Sequence, residues 1–292
     1  MDATNARPAS LTRSIRLPLL LGLGLVLITG WVYSSILWRL SLQWSHDPNF
    51  SHGFLVPLFS LFVLYQDRSR WQSLCPRPSW WGLAVLVLGL GVLVVGVLGS
   101  ELFLSRSSLL LILAGLVILL LGWPFMRAVL FPWALLLLMI PIPNLIFNQI
   151  TFPLQLLASN IASAVLPLLG VPVLREGNVI VLPAMALEVA EACSGIRSLL
   201  SLVTLAVIYG YFMETRTYVR VLLALCAIPI AVAANSFRIV GTGLLVQNWD
   251  PERALGFFHT FSGWVIFVAS LLMLLAVHRM FQFFDPSRRS PS

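Results

Sequence analysis

Long stretches without a charged residue limit what this sequence can fold into. The longest covers residues 128–174, which are 47 consecutive positions without Asp, Glu, Lys or Arg. A membrane crossing needs about 20 apolar residues. The chain is 59% hydrophobic and 10% charged, whereas a soluble domain carries about 25% charged residues. One soluble core could not bury so much apolar surface. The sequence therefore predicts a polytopic α-helical membrane protein.

The charge-free windows predict about eight transmembrane helices. One region of the long window is interrupted by Asn and Gln side chains and by prolines, so we predict that Phe147–Gly170 is an interfacial or re-entrant helical segment and not a crossing. The predicted crossings are Leu17–Trp38, Phe50–Gln66, Pro78–Ser100, Ser107–Met126, Ala128–Ile146, Ser198–Met213, Val221–Phe237 and Thr260–Val277.

The arginines give the predicted crossings an orientation. If the helices alternate in direction, twelve arginines fall on one side of the membrane and four on the other. Basic residues are enriched on the cytoplasmic side, so both termini are predicted to be cytoplasmic. The four arginines on the outer side are Arg39, Arg106, Arg175 and Arg253.

Residues 171–192 differ from the rest of the chain. Two β-prone runs, Val171–Leu174 and Val179–Leu182, flank a Gly177-Asn178 pair, which is a hairpin signal. A third short strand is expected at Ala186–Val189. Because bare strands cannot face lipid, this segment is predicted to be extracytoplasmic.

The chain is predicted to form one polytopic domain over residues 1–292, with cytoplasmic tails at 1–16 and 285–292. Leu17–Leu37 is too long for a signal-peptide core and is expected to be retained as the first helix. The net charge of +7 comes from arginine clusters between apolar runs, which indicates membrane orientation and lipid contact instead of nucleic-acid binding. The three cysteines have no disulfide-framework or CxxC spacing.

Four residues at the predicted outer face can carry chemistry. Cys193 precedes an apolar helix, where the helix N-terminus favours the nucleophilic thiolate. Arg238 lies at the outer end of another helix, where a charge needs a partner. His259 starts the last helix, and His52 opens the second. These residues suggest acyl transfer by a thiolate, a proton-transferring His and a stabilising cation.

The alternatives for these residues are structural. Cys193 can be an inert buried thiol, Arg238 a snorkelling arginine, and single interfacial histidines structural residues. His278 is interpreted as a membrane-edge anchor. Zinc bound by His52, His259 and Cys193 is disfavoured by the scattered spacing, so neither a metal site nor a cofactor is predicted.

These residues also carry a resemblance to a known family. The motifs Glu191-Ala-Cys193-Ser-Gly-Ile-Arg197-Ser and Asn235-x-x-Arg238-Ile, and then His259 followed by Gly263, resemble those of the exosortases. The stretches around His52 and before Cys193 also look like that family, and the resemblance spans roughly residues 44–280. His at position 259 resembles the bacterial members more than their archaeal relatives.

The resemblance implies an inner-membrane cysteine transpeptidase whose site faces the periplasm. Such enzymes are thought to recognise a C-terminal sorting signal on exported proteins, made of a Pro-Glu-Pro-like motif, a membrane helix and a basic tail. The enzyme would transfer the protein to a surface acceptor, a lipid or polysaccharide amine or hydroxyl. By motif position, Cys193 is the nucleophile, Arg238 the stabilising cation and His259 the third member; the supporting candidates are Glu191, Arg197, Asn235 and His52.

Three other functions fit the sequence. A membrane protease would use the same triad with water as the acceptor. A transporter is disfavoured because no Asp or Glu lies at mid-helix. A non-enzymatic assembly scaffold would not depend on Cys193.

Overall fold

The computed structural model describes residues 10–189, 195–248 and 257–284. The chain divides into two compact units. The first comprises the chain up to His46 together with Gly53–Pro141, and the second comprises Asp47–His52 and the chain from Ile142 onward.

The first unit is helical throughout its described elements. Its longest helix, α1, is followed by a 3₁₀ segment at Pro48–Phe54, which bridges the two units in sequence. The helices are α1 (Ser10–His46), α2 (Leu55–Gln66), α3 (Arg68–Gln72), α4 (Trp81–Leu98), α5 (Leu102–Leu120), α6 (Trp123–Ala128) and α7 (Leu130–Leu135), which continues as a 3₁₀ turn at Leu136–Met139.

Glycines bring α4 and α5 into close contact. Gly82, Gly89 and Gly96 are buried and lie seven residues apart on α4. A Cβ atom at Gly96 would lie 2.5 Å from the backbone nitrogen of Ser105 on α5. Since lipid tails are as apolar as Leu, close backbone packing is what holds such helices together. The pair therefore forms a tight transmembrane hairpin.

The second unit combines helices with a small antiparallel sheet. Its elements are α8 (Asn144–Leu168), β1 (Leu174–Glu176), β2 (Val179–Val181), β3 (Ala186–Glu188), α9 (Gly195–Met213), α10 (Thr217–Asn248) and α11 (Phe257–Phe283).

Six of the described helices are long and apolar enough to cross a membrane. The chain is therefore an all-α, multi-pass integral membrane protein with a small sheet, as predicted. The second, fifth and sixth predicted crossings correspond to shorter apolar helices: the 12-residue α2, α7 with its 3₁₀ turn, and the Leu199–Met213 part of α9. The six spans lie at Gly22–His46, Trp81–Leu98, Leu102–Leu120, Asn144–Leu168, Thr217–Asn248 and Gly263–Phe283.

The interfacial or re-entrant placement of Phe147–Gly170 stays a prediction, but its prolines and amides do not interrupt the helix. This region is one uninterrupted helix, α8, with Pro153 and Pro167 inside it, and it is long and apolar enough to span. One face of α8 packs its buried side chains against the sheet and α10. This packing stabilises the helix in spite of the backbone hydrogen bonds that the prolines remove.

The sheet confirms the predicted hairpin, with the first strand shifted toward the turn. The strands are ordered β1-β2-β3 and both pairings are antiparallel. Glu176 pairs with Val179, so Gly177 and Asn178 form a two-residue loop. Gly177 has φ +64°, while Asn178 does not have positive φ. This is the pattern of a type II′ turn, in which Gly is preferred at the first central position.

Helix α10 runs through two apolar cores of the second unit. Its first part, from Val219 to Ala231, packs with α9 and α11 and forms what we call the helical core. Its later part, from Ile239 to Val246, packs with α8 and the sheet and forms what we call the sheet core. Arg238 directly precedes the sheet-core residues and is itself buried. The 32 residues of α10 give it a length of about 48 Å, well beyond the roughly 30 Å of a hydrocarbon core.

The orientation can be tested with single-cysteine variants. Cys75 is exposed between α3 and α4 and is predicted to be cytoplasmic, whereas Glu176 is an exposed β1 residue predicted to lie outside. In a chain whose other cysteines are replaced by Ser, a thiol reagent that cannot cross the inner membrane is expected to label a Glu176→Cys variant and not Cys75. Cys226, which packs against the helical core, should resist labelling. Labelling of Cys75 in intact cells would show that the orientation is opposite to the predicted one.

Candidate active site

Arg238 is the best-defined candidate residue in the structure. It lies within α10 and is only 4% exposed. The sequence placed it at the outer end of a helix that stops near Phe237, but α10 continues ten residues further, to Asn248. The helix continues because these later residues pack in the sheet core. Arg238 is therefore held inside a helix between two packed regions and not at a frayed terminus.

A glycine on the last helix lies directly against the guanidinium group of Arg238. A Cβ atom built on Gly263 would be 3.4 Å from Nη2, 3.5 Å from Cζ and 3.7 Å from Nη1 of Arg238. The guanidinium thus lies beside Gly263 at a distance where a Cβ atom would just touch it. His259 lies four residues before Gly263 in the same helix, which is one turn along the axis. The backbone position of His259 is therefore one turn from the Arg238 contact.

Asn235 lies one turn before Arg238 on α10 and adds a polar group to the same region. Its Oδ1 atom is buried and has no hydrogen-bond partner in the structure. Residues three apart on a helix are neighbours on its surface, so Asn235 and Arg238 present an acceptor and a cation side by side. A buried acceptor without a donor is costly, which marks Asn235 as a candidate for binding an incoming N–H group.

The proposed nucleophile lies outside the described residues, as does Glu191. Cys193 precedes by two residues the Gly195 at which the described part of α9 begins. Arg197 and His259 belong to described helices by their backbones only, and their side chains lie outside the description. The predicted convergence of Cys193, Arg238 and His259 stays a prediction. The structure does show that α9, α10 and α11 share one core, in which Leu202, Leu223 and Leu274 are fully buried.

His52 belongs to the second unit together with the start of α8. It lies in the 3₁₀ segment, half-buried, with its ring centroid 6.5 Å from that of Phe50. The Phe50 ring in turn lies 5.7 Å from Phe147 of α8. These contacts give His52 a packed aromatic environment, and its proposed supporting role stays a prediction.

A polar network that no sequence motif indicated lies at the other end of α11. His278, interpreted as a membrane-edge anchor, is 1% exposed. Its Nδ1 lies 2.8 Å from the hydroxyl of Tyr209 on α9, and its Nε2 lies 3.5 Å from Oε2 of Glu214. Glu214 also accepts hydrogen bonds from the backbone N–H groups of Thr215 and Arg216. The network joins α9, α11 and the turn into α10, so the anchor interpretation is wrong.

Arg106 is also more buried than the arginine pattern suggested. It was assigned to the outer face, yet it is 4% exposed within α5, and its Nε has no hydrogen-bond partner in the structure. The signal for burial was present in the sequence, because an apolar run begins at Leu109, three residues after Arg106. Among the described residues, no group of three His, Cys, Asp or Glu side chains could hold a metal ion.

The described geometry suits the binding of an anion at Arg238. A planar guanidinium presents several N–H donors, and burial away from water strengthens its attraction for negative charge. The absence of a side chain at Gly263 lets α11 approach this group closely. Negative charge developing near Arg238, as in a tetrahedral acyl-transfer intermediate, would be stabilised there.

The sequence comparisons identify the class to which this multi-pass membrane protein with a buried arginine site belongs. Residues 44–276 match the transmembrane exosortase family. This match covers most of the 292-residue chain, and the chain belongs to that family. Membership indicates a membrane transpeptidase or protease that acts on the sorting signals of other proteins. The searches found no matching curated protein and no matching solved structure.

The contact between Arg238 and Gly263 can be tested by filling the space. Gly263→Val would place methyl groups beside the guanidinium, and we expect substrate processing to fall at least tenfold while the protein stays in the membrane. Gly241→Val on α10 is the matched control, because a Cβ at Gly241 meets nothing within 4 Å. Equal processing by the two variants would show that the contact is not needed.

The His278 network should contribute to stability. His278→Ala removes the partner of the half-buried Tyr209 and of the buried Glu214, and we expect a loss of about 1–3 kcal/mol. The loss can be measured as a lower free energy of unfolding or a lower thermal midpoint in detergent. Gln282→Ala, which removes only the 3.0 Å contact to Nε2 of His278, should cost less. A wild-type midpoint for His278→Ala would contradict a stabilising role.

Proposed function

We propose that this protein is a membrane-embedded cysteine transpeptidase. It would cleave the C-terminal sorting signal of exported proteins and transfer them to a surface acceptor. The observation that supports this most directly is the buried Arg238 against Gly263, one turn from His259, within a chain of the exosortase family. Cys193 is the proposed nucleophile, because it is the cysteine that precedes α9, whose core includes α10 and α11.

The first half-reaction forms a thioester. The thiol of Cys193 transfers its proton to His259, and the sulfur then attacks the scissile carbonyl carbon. Arg238 stabilises the oxyanion that develops. His259 donates the proton to the leaving amine as the carbon–nitrogen bond breaks. The C-terminal membrane helix of the signal departs, and the exported protein stays bound to Cys193 through a thioester.

The second half-reaction restores the enzyme. An amine or hydroxyl of the acceptor gives its proton to His259 and attacks the thioester carbon. The carbon–sulfur bond breaks, and the sulfur recovers a proton from His259. Water in place of the acceptor would give hydrolysis, so exclusion of water decides between transpeptidase and protease. Asn235, with its buried unpaired acceptor, is proposed to hold an N–H group of the bound chain.

We place the active site at the periplasmic face of the bacterial inner membrane. Along α10, Arg220 and Arg238 are separated by about 27 Å, and along α11, Gly263 and His278 by about 22 Å, at 1.5 Å per residue. These lengths approach the roughly 30 Å of a hydrocarbon core. The Arg238 contact and the His278 network thus lie near opposite membrane faces. The arginine bias puts the His278 end inside.

The sheet segment 171–192 is proposed to lie on the same outer side. Ser159, at the middle of α8, donates a hydrogen bond to the carbonyl of Gly177 in the hairpin turn. Strands with open edges are not stable in lipid, so this contact draws the second half of α8 out of the bilayer core. The opposite side of α8 exposes an apolar stripe of Ile146, Ile150, Leu157, Ile161 and Leu168. Such a helix suits the membrane interface.

The proposed roles predict distinct effects of substitution. Cys193→Ala should abolish processing of a reporter that carries a sorting signal, and Arg238→Lys should lower it at least tenfold, because lysine lacks the planar fork. Membrane levels should stay normal in both variants. Arg39→Lys is the control, since Arg39 is exposed on α1. Full processing by the Cys193→Ala variant would exclude the mechanism.

The fate of the exported protein distinguishes transfer from hydrolysis. A purified, reconstituted enzyme incubated with a sorting-signal substrate and a labelled amine should incorporate the label at the new C-terminus. Product with a free carboxylate in the presence of excess acceptor would instead identify a membrane protease with the same residues.

A further inference from the structure

The third strand has an edge that no other described strand covers. The sheet order is β1-β2-β3, so β3 pairs with β2 on one side only. Ala186 and Glu188 are exposed, while Leu187 between them is 2% exposed. An open strand edge presents unpaired N–H and C=O groups that can bind another extended chain.

The ladder shows which backbone groups face outward. The N–H of Leu182 donates to the carbonyl of Met185, and the N–H of Val189 donates to the carbonyl of Asn178. In an antiparallel pair, hydrogen-bonded positions alternate with non-bonded ones. Leu187, which pairs with Ile180, is therefore bonded to β2. The N–H and C=O groups of Ala186 and Glu188 consequently point away from the sheet.

The edge of β3 is rigidly connected to the candidate active site. Leu187 and Val189 are buried in the sheet core together with Ile239, the residue that follows Arg238. In the other direction, Glu188 precedes Cys193 by five residues, so the two are separated by at most about 17 Å. A bound chain that extends along β3 and a few residues beyond it is therefore long enough to reach the proposed nucleophile.

We propose that the free edge of β3 binds the extended cleavage segment of the exported protein as an added fourth strand. This inference rests on the proposed function and specifies how the substrate is held. Backbone hydrogen bonds to Ala186 and Glu188 would supply affinity, as in other cases of strand addition. Backbone recognition accepts many side chains, which suits an enzyme that processes several exported proteins.

Strand addition also accounts for a preference for two prolines in alternate positions. Residues i and i+2 of a strand direct their N–H groups to the same side. In a Pro-x-Pro segment both of these N–H groups are missing, while the central residue keeps its own on the other side. The central residue can therefore pair with β3. If the central residue of the substrate segment is acidic, its expected partner is Ala186, because an acidic side chain opposite Glu188 would be repelled.

The direct test is a backbone scan of a synthetic substrate with the full-length protein in lipid nanodiscs. Each peptide carries one N-methyl group or one amide-to-ester replacement in the cleavage segment, and both its dissociation constant and its kcat/KM are measured. We expect alternate positions to lose about 3- to 10-fold in affinity, the effect of one lost hydrogen bond, with little change at the positions between them.

Variants of the enzyme provide an independent readout. Ala186→Pro removes an outward N–H without removing a hydrogen bond to β2. Edge strands tolerate proline at such outward positions. We expect KM to rise at least fivefold with an unchanged thermal midpoint. Arg175→Pro is the control, because Arg175 of β1 also directs its N–H outward, at the opposite edge of the sheet. The KM of the Arg175→Pro variant should stay within twofold of the wild-type KM.

The outcomes separate this inference from the proposed function. Normal cleavage with a flat backbone scan and a normal KM for Ala186→Pro would overturn strand addition and leave the transpeptidase proposal standing. Dimers that the Ala186→Pro substitution disrupts would show that a second copy of the chain occupies the edge, which also overturns it. If the wild type neither binds nor cleaves the unmodified peptides, both proposals are overturned.

Discussion

The burial of Arg238 is the constraint on which the arrangement of the second unit depends. A guanidinium removed from water loses several kcal/mol of hydration unless its surroundings compensate. The helix that carries it cannot shift freely, because α10 is fixed on one side of Arg238 by the helical core and on the other by the sheet core. Gly263 of α11 lies beside the guanidinium, where an added Cβ atom would touch it. The position of this charge is thus set by packing on both sides.

The same helices are joined by a polar network away from Arg238. In it, His278, Tyr209 and Glu214 join α9, α11 and the turn into α10. Between this network and Arg238 the contacts are apolar, with Leu202, Leu223 and Leu274 fully buried. Hydrocarbon supplies no hydrophobic drive for helices to associate, so this polar network helps to fix the register of the three helices. That register sets where Arg238 lies relative to α11.

Much of the fold was predictable because lipid imposes simple rules on the sequence. Apolar length identified the membrane helices, and the Gly177-Asn178 pair identified the hairpin. The apolar window ends at the charge of Arg238, which predicted that the helix ends there too. In the structure the helix continues, since Ile239 and Val240 pack on a sheet, and no local pattern reveals that long-range contact. The prolines of α8 wrongly predicted an interrupted helix for the same reason, because tertiary packing overrides the local preference.

The candidate site was predictable in part. Motif spacing singled out Arg238 and Asn235, and the structure buries Arg238 and the Oδ1 atom of Asn235. The role of Gly263 as the surface against the guanidinium required coordinates, because residues 25 positions apart carry no periodic signal. His278 was misjudged for a related reason. A histidine beside an arginine at a helix end is typical of the interface, and only the positions of Tyr209 and Glu214 show it to be internal.

The central claim is that Cys193 carries the exported protein as a thioester during transfer. The most direct test is mass spectrometry of the reconstituted enzyme, quenched by acid within seconds of mixing with a sorting-signal substrate and without acceptor. The account predicts an acyl adduct on the peptide that contains Cys193, released by hydroxylamine and consumed when an amine acceptor is added. Turnover of the substrate without an adduct at Cys193, or an adduct confined to Cys75 or Cys226, would contradict it.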